Sequence, residues 1–219
     1  IDLELEKVEQ IIGKIAADPE DEDVRRVELE LWKKILGMAQ KGRRTGLGIT
    51  AEGDMLVALG LRYGTPEATA FAVKVQKTLA LEAYRASVKM AAERGAFEIF
   101  DARKEEKNPM IGRIREADPE LYAEMVKHGR RNIAMLTIAP TGTTSLMSQT
   151  TSGIEPVFRP VYKRRRKINP SDQDAKVAFV DDMGEKFEEY NVYHHNFVRW
   201  LAANGYDTTR LQTISDEEL

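Results

Sequence analysis

The sequence predicts an α/β fold in which helices predominate. Long stretches place apolar residues three and four positions apart, as amphipathic helices do. One short apolar and β-branched run ends at a proline, as a buried strand does. The chain has 219 residues, of which 42% are hydrophobic, so it is long enough to form a core.

The composition excludes several classes of function. The chain has no cysteine, which rules out disulfides, thiolate metal sites and thiol chemistry carried by this sequence. A net charge of −3 argues against a dedicated nucleic-acid-binding protein. No apolar run is long enough to cross a bilayer and no secretory leader opens the chain, so we expect a cytoplasmic protein with no membrane contact.

Both ends of the sequence are expected to be truncated. The chain begins at Ile1 without an initiator methionine. Near the other end, Ser215 and Glu218 have the spacing of a capping box that should open a helix, yet almost no sequence follows. A naturally frayed tail is the alternative.

A single partial domain over residues 1–219 is predicted, and it begins with a helical hairpin at 1–45. Apolar residues recur at helical spacing in its first helix, and a second helix should run from about Asp23 to Gly42, with the glycine as its C-terminal cap. Residues 46–130 should be mainly helical. Their longest helix is predicted over Pro66–Arg94, capped by Thr65 and stopped by Gly95.

Residues 131–219 should contain the strands. The run "NIAMLTIAP" predicts a strand buried on both faces, and a second extended segment is expected at Val157–Lys163. Beyond it, "DAKVAFVDDMGEKFEEY" and "YHHNFVRWLAANGYD" are interpreted as helical or mixed pieces, with Gly205 capping the latter.

Small hydroxyl residues and a glycine follow the predicted strand in "APTGTTSLM". Gly142 would let the backbone approach an anion, and the hydroxyls around it could donate hydrogen bonds, helped by the dipole of a following helical turn. The lysine of the common G-x-x-x-x-G-K-[ST] loop is missing. On spacing alone, a phosphate site and an ordinary Ser/Thr-rich turn both remain open.

Three segments carry a family resemblance. "RNIAMLTIAPTGTTSLMSQTTSGIEPVFRPVYKRRRK", "GRRTGLGITAEGDMLVALGLRYGTPEA" and "ALEAYRASVKMAAERGAF" resemble, in the same order, parts of the large chain of ribonucleotide reductases. The "APTGTTSLM" form and the "YHHNFVRWL" tail are most similar to the adenosylcobalamin-dependent class II.

The resemblance implies a piece of the ten-stranded α/β barrel, with residues 131–219 supplying a strand, the phosphate loop and further barrel elements. It implies that the substrate phosphate is received by a six-residue loop, called here the 140–145 loop: Pro140, Thr141, Gly142, Thr143, Thr144 and Ser145. The implied chemistry is radical reduction of a ribonucleoside di- or triphosphate, started by adenosylcobalamin and carried by cysteines, a glutamate and an asparagine.

The sequence departs from that family pattern in one decisive way. It has neither a cysteine nor the N-x-C-x-E segment that carries the redox chemistry. We therefore expect no catalytic residue in this chain, no turnover by the chain alone, and partners that supply the remaining parts of the reductase in cis or in trans, with a homodimer as one arrangement. A non-catalytic helical assembly module is the alternative.

Three other features have simpler interpretations. The basic run from Arg159 to Lys167 could bind nucleic acid, but "SDQD" and "DDMGEKFEE" nearby can neutralise it. A cationic lining for an anionic nucleotide, or an interdomain contact, is favoured instead. Glu155 could face the substrate or anchor a turn through backbone amides, and the second role is favoured. His194 and His195 are adjacent and point in different directions, so no metal site is predicted.

Overall fold

The computed structural model describes residues 1–169, 171–172, 175–215 and 217–218. Its helices and strands follow the chain in this order: α1 (Asp2–Ala16), α2 (Glu22–Gly42), α3 (Glu52–Ala58), α4 (Pro66–Arg94), α5 (Ala102–Glu105), α6 (Pro109–Ala117), α7 (Pro119–His128), α8 (Gly142–Ser148), β1 (Val161–Lys167), β2 (Phe179–Val180), β3 (Lys186–Tyr193) and α9 (His195–Ala203). No helix in the described part of the chain combines the length and apolarity that a membrane span requires.

The chain forms two compact units. Unit 1 comprises Ile1–Gly48 and Ala70–Ile138, and unit 2 comprises Ile49–Thr69 and Ala139–Leu219. The predicted single partial domain remains a prediction about the larger barrel.

In unit 1, α1 and α2 pack against each other as the predicted hairpin. Asp21 caps α2, because its side chain accepts a hydrogen bond from the Asp23 amide. The prediction that Gly42 caps the other end is wrong by one residue. Arg43 takes the left-handed conformation there, with φ 47°, and its N–H bonds to the Ala39 carbonyl.

The long helix α4 has the predicted bounds. The Thr65 hydroxyl accepts a hydrogen bond from the Ala68 amide at 3.3 Å, so Thr65 is its N-terminal cap. At the other end Gly95 follows with φ 84°, a conformation that costs glycine little. The inner face of α4 packs into the core of unit 1. The buried residues of this core are Tyr84, Val88, Ile111, Ile114, Leu121, Met125 and Met135.

Arg130 lies inside unit 1 with a fully used guanidinium group. It pairs with both carboxylate oxygens of Glu105, one of them at 2.6 Å, and donates to the carbonyls of Asn132 at 3.1 Å and Ile133 at 3.2 Å. Three aromatic rings surround it at 5.4 to 5.8 Å from their centroids: Tyr84, Phe97 and Phe100. We call this group the Arg130 cluster.

The predicted strand buried on both faces is only partly present. Residues 134–137 pair with 45–47 through one isolated parallel bridge between Leu47 and Leu136. Met135 is buried, but Ile138 is 56% exposed, so the prediction of burial on both faces is wrong. The pairing needs Gly48, since a Cβ there would lie 2.2 Å from the Thr137 carbonyl oxygen.

The sheet of unit 2 is antiparallel, in the order β1-β3-β2. The interpretation of "DAKVAFVDDMGEKFEEY" as helical or mixed is wrong, because β2 and most of β3 lie there. Opposite charges on facing strands, such as Arg165 across from Glu189, favour this pairing over a helix. The ten strands of the implied barrel are not formed by the described residues, whose strands are these three and the isolated bridge.

Candidate functional site

The 140–145 loop leads directly into α8. Thr141 is the N-terminal cap residue, and the Ser145 amide donates to its carbonyl at 2.8 Å, which closes the first helical turn. The amides of Gly142, Thr143 and Thr144 fall in that first turn, where a helix offers no internal acceptor. All three residues are exposed and lie at the positive end of the helix dipole.

Two hydroxyls of the loop are used internally. The Thr141 hydroxyl donates to the Ser152 carbonyl at 2.8 Å, and the Ser145 hydroxyl donates to the Gly142 carbonyl at 2.8 Å. Ser145 is 6% exposed and its Oγ lies 3.3 Å from the Ser152 Oγ. Thr141 and Ser145 therefore hold the shape of the loop, whereas Thr143 and Thr144 are exposed.

Residues 151–155, which we call the anchoring turn, bind the start of α3. The amides of Ala51 and Glu52 donate to the carbonyls of Ser152 and Gly153, both at 3.2 Å. In return, the Asp54 carboxylate accepts the Thr151 amide at 2.9 Å. These contacts satisfy amides that a helix start otherwise leaves without partners.

The anchoring turn also requires Gly53. A Cβ at this position would lie 2.5 Å from the Glu155 carbonyl oxygen and 2.7 Å from the Pro156 Cα. Neither Gly53 nor Asp54 is among the residues predicted for the site. Asp54 lies in the first turn of α3, where an acidic residue is common because it interacts favourably with the helix dipole. Its position in the sequence therefore does not indicate a contact with the anchoring turn.

Glu155 anchors its own turn, as the favoured interpretation predicted. Its carboxylate accepts the Gly153 amide at 3.1 Å. Hydrogen bonds from the backbone amides, that of Gly153 first, hold the pKa of Glu155 below its ordinary value because they stabilise the ionised form.

His194 lies beside the same carboxylate. Its Nε2 is 3.6 Å from Asp54 Oδ2, and both side chains are largely buried, at 16% and 10% exposure. His195 is the first residue of α9 and is exposed. Within the part of the chain that the structure describes, no three His, Asp or Glu side chains come together to hold a metal ion.

The basic run forms β1 and is paired with acids. Arg165 bonds Glu189 at 2.7 Å, Arg166 bonds Glu188 at 2.6 Å, and Lys167 lies 2.8 Å from Glu185. The predicted neutralisation by "DDMGEKFEE" is thereby confirmed. In "SDQD", Asp172 lies 3.3 Å from Arg166, while Gln173 and Asp174 fall outside the described residues.

Comparison with known proteins identifies the family. The family described as "Ribonucleotide reductase, barrel domain" matches residues 27–218. A vitamin B12-dependent ribonucleoside-diphosphate reductase of Mycobacterium tuberculosis is 35% identical over 127 residues, which cover 58% of this chain and 16% of that protein. A protein of the same name from Thermoplasma acidophilum is 30% identical over 183 residues, covering 84% of this chain and 21% of that protein.

The name of a third relative does not mention vitamin B12. The ribonucleoside-diphosphate reductase subunit alpha of Treponema pallidum is 29% identical over 134 residues, covering 57% of this chain and 15% of that protein. The chain thus spans only 15% to 21% of the length of these three relatives. Because the family match extends over most of the sequence, this chain belongs to the ribonucleotide reductase barrel-domain family.

Proposed function

We propose that this chain is part of a ribonucleotide reductase and contributes the loop that binds the phosphate of a ribonucleoside di- or triphosphate. The observation that carries the proposal is the exposed first turn of α8, where the amides of Gly142, Thr143 and Thr144 lie together at a helix start. Family membership supplies an independent reason to expect a nucleotide there.

Each part of the loop has a distinct role in this proposal. Gly142 offers no side chain, so a phosphate oxygen can reach the backbone amides, and the hydroxyls of Thr143 and Thr144 add further donors. Thr141 and Ser145 keep the turn in shape through their bonds to the Ser152 and Gly142 carbonyls. Donors fixed before the ligand arrives bind it without a further ordering cost.

We also propose that the complete enzyme uses adenosylcobalamin, because two of the relatives described above are named vitamin B12-dependent. When bound, that cofactor supplies the initiating radical by homolysis of its cobalt–carbon bond. The 140–145 loop presents backbone amides and hydroxyls, which are donors suited to a phosphate. The contribution proposed for this chain is the binding and orientation of the substrate.

Phosphate binding is tested by placing a charge at the start of α8. Thr143→Asp puts a carboxylate among the three amides, where it favours the helix but repels a phosphate. Thr143→Asn is the matched control, because asparagine has nearly the same shape as aspartate but carries no charge. We expect pyrophosphate to shift the backbone NMR signals of Gly142–Thr144 in the wild type, and Thr143→Asp to weaken its affinity at least about tenfold.

The proposal fails if pyrophosphate leaves those signals unchanged, or if Thr143→Asp and Thr143→Asn bind it equally well. A second assay tests the role of the isolated chain. With a ribonucleotide, adenosylcobalamin and a dithiol, we expect no deoxyribonucleotide, because the sequence has no cysteine to carry the radical or the reducing electrons.

One observation favours the alternative of a non-catalytic assembly module. Along α2, five large apolar side chains at helical spacing are 40% to 64% exposed: Val24, Val27, Leu31, Ile35 and Met38. Contiguous exposed apolar surface is typical of interaction sites. Self-association abolished by Leu31→Lys, together with no response of the 140–145 loop to pyrophosphate, would favour this function over phosphate binding.

A further inference from the structure

We propose that Asp54 is a positioning residue for the 140–145 loop: its buried carboxylate fixes the anchoring turn, and the turn fixes the start of α8. This inference rests on the proposed phosphate site and adds a residue outside the loop to it. The whole connection lies within unit 2.

The first link joins Asp54 to the anchoring turn. The Asp54 side chain is 10% exposed and its Oδ2 accepts the Thr151 amide at 2.9 Å. Thr151 is itself 6% exposed, so this is a shielded hydrogen bond to a charged acceptor. Such bonds are shorter and about twice as strong as those between neutral groups.

The second link joins the anchoring turn to the loop. The Ser152 carbonyl accepts both the Ala51 amide at 3.2 Å and the Thr141 hydroxyl at 2.8 Å. Thr141 is the residue at which α8 begins, so a shift of Ser152 would move the first turn of the helix. The Ser152 hydroxyl also approaches the buried Ser145 hydroxyl at 3.3 Å.

Burying the Asp54 carboxylate costs more free energy than burying a neutral acceptor for the Thr151 amide would, because a charged group loses more hydration. His194 Nε2 lies 3.6 Å from the same carboxylate oxygen, beyond hydrogen-bond distance. A charged acceptor between two elements of the unit makes the turn stiffer than a neutral one, and a phosphate site gains from donors held in place.

The test compares Asp54→Ala, Asp54→Asn and a matched control in the same unit. Asp207→Ala is the control, because Asp207 also accepts backbone and hydroxyl hydrogen bonds, from Thr209, at 2.9 and 2.6 Å, but does not contact the loop. We expect Asp54→Ala to weaken pyrophosphate binding about tenfold, Asp54→Asn to restore it to within about threefold, and Asp207→Ala to leave it unchanged.

A purely structural role for Asp54 would lower the melting temperature of Asp54→Ala while its folded molecules bound pyrophosphate like the wild type, and that result would overturn the proposal. If Asp54→Ala does not fold, Thr141→Val cuts the same connection at its other end and must reproduce the tenfold loss. Wild-type affinity in Thr141→Val would equally overturn the proposal.

A readout without ligand separates this inference from the proposed function. The Ser145 amide, which bonds the Thr141 carbonyl at 2.8 Å, reports the order of the first turn of α8 through its hydrogen-exchange rate. We expect this rate to rise at least about tenfold in Asp54→Ala and to stay unchanged in Asp207→Ala. An unchanged rate in Asp54→Ala refutes positioning even if the wild type binds no pyrophosphate, whereas a raised rate supports it in either case.

Discussion

The Arg130 cluster of unit 1 and the 140–145 loop of unit 2 use their hydrogen-bond donors in opposite ways. The Arg130 guanidinium gives its donors to Glu105 and to two carbonyls, and aromatic rings enclose it. In the loop, Gly142, Thr143 and Thr144 are exposed, and their amides lie in the first helical turn, which offers no internal acceptor. Polar groups whose hydrogen bonds are all made within the protein stabilise the scaffold, whereas fixed donors without an internal acceptor mark where a ligand can bind.

Breaking the saturated cluster should have the largest effect. Glu105→Ala leaves the Arg130 guanidinium, whose side chain is 3% exposed, without its carboxylate. Removing one partner of a buried pair costs about 3–5 kcal/mol, so we expect the free energy of unfolding to fall by that amount in urea titrations.

Arg103→Ala is the matched control for that experiment. Its side chain is 91% exposed and pairs only with Asp101 at the surface, so the change should cost less than about 0.5 kcal/mol. Equal losses in both variants would remove the distinction between the cluster and ordinary surface pairs.

Crowding the anchoring turn should have the next largest effect. Gly53→Ala places a methyl group 2.5 Å from a backbone carbonyl oxygen, which cannot yield as a side chain would. Overpacking of this kind costs about 1–3 kcal/mol, and the shift of the turn should also weaken pyrophosphate binding. Chemical denaturation and the same NMR titration measure the two effects.

Gly13→Ala should change the free energy of unfolding in the opposite direction to Gly53→Ala. Gly13 lies inside α1 and no atom lies within 4 Å of a Cβ built there. Alanine should therefore stabilise the helix by about 0.5–1 kcal/mol without affecting pyrophosphate binding. A loss of stability in Gly13→Ala, or none in Gly53→Ala, would contradict the geometry of these two sites.

The basic strand β1 is an intermediate case, in which exposed charges are neutralised by neighbours. Changing Glu185, Glu188 and Glu189 together to glutamine removes one acidic partner from each of Lys167, Arg166 and Arg165. We expect the variant to bind DNA more tightly than the wild type, with a salt slope steeper by about 2–3 units. An equally steep slope in the wild type would show that the acids do not mask this surface.

The smallest effect concerns Asp118, the N-terminal cap of α7. The Leu121 amide, at 2.9 Å, and the Arg85 guanidinium hold the pKa of Asp118 below its ordinary value. Because the pKa of Asp118 is lower in the folded chain than the unfolded value of about 3.9, the ionised carboxylate stabilises the folded chain at pH values above that unfolded value. This stabilisation is lost as the pH falls through the pKa of the folded chain.

Asp118→Asn keeps an acceptor for the Leu121 amide but loses the charge. The wild type should therefore be more stable than Asp118→Asn near neutral pH, and the two should converge as the pH falls through the lowered pKa of Asp118. Urea midpoints measured over this pH range check the expectation. A difference that grows in acid would mean that the sign of the pKa shift is wrong.

Local sequence rules predicted the helices well and the strands poorly. The bounds of α4 follow from Thr65, Pro66 and Gly95, which lie at its own ends. The pairing of β1 with β3 depends instead on residues about 24 positions apart, as for Arg165 and Glu189. A sequence rich in Glu and Lys favours a helix until an opposite strand supplies partners for those charges.

Some features of the candidate site can likewise be predicted from the sequence, and others cannot. The hydroxyls and glycine of the 140–145 loop are visible in the sequence, and so is the absence of cysteine. Asp54 is invisible as a loop residue, because it meets Thr151 across 97 positions. Arg130 stands beside Arg131 in the sequence, and nothing local indicates which of the two enters the aromatic cluster.

Most helix ends, the glycine and hydroxyl content of the loop and the family resemblance follow from the order of the residues, because they depend on near neighbours in the chain. Which charges are buried and which hydroxyls are already bonded depends instead on the folded arrangement. Burial and hydrogen bonding depend on segments that are distant in the chain, and packing alone brings those segments together.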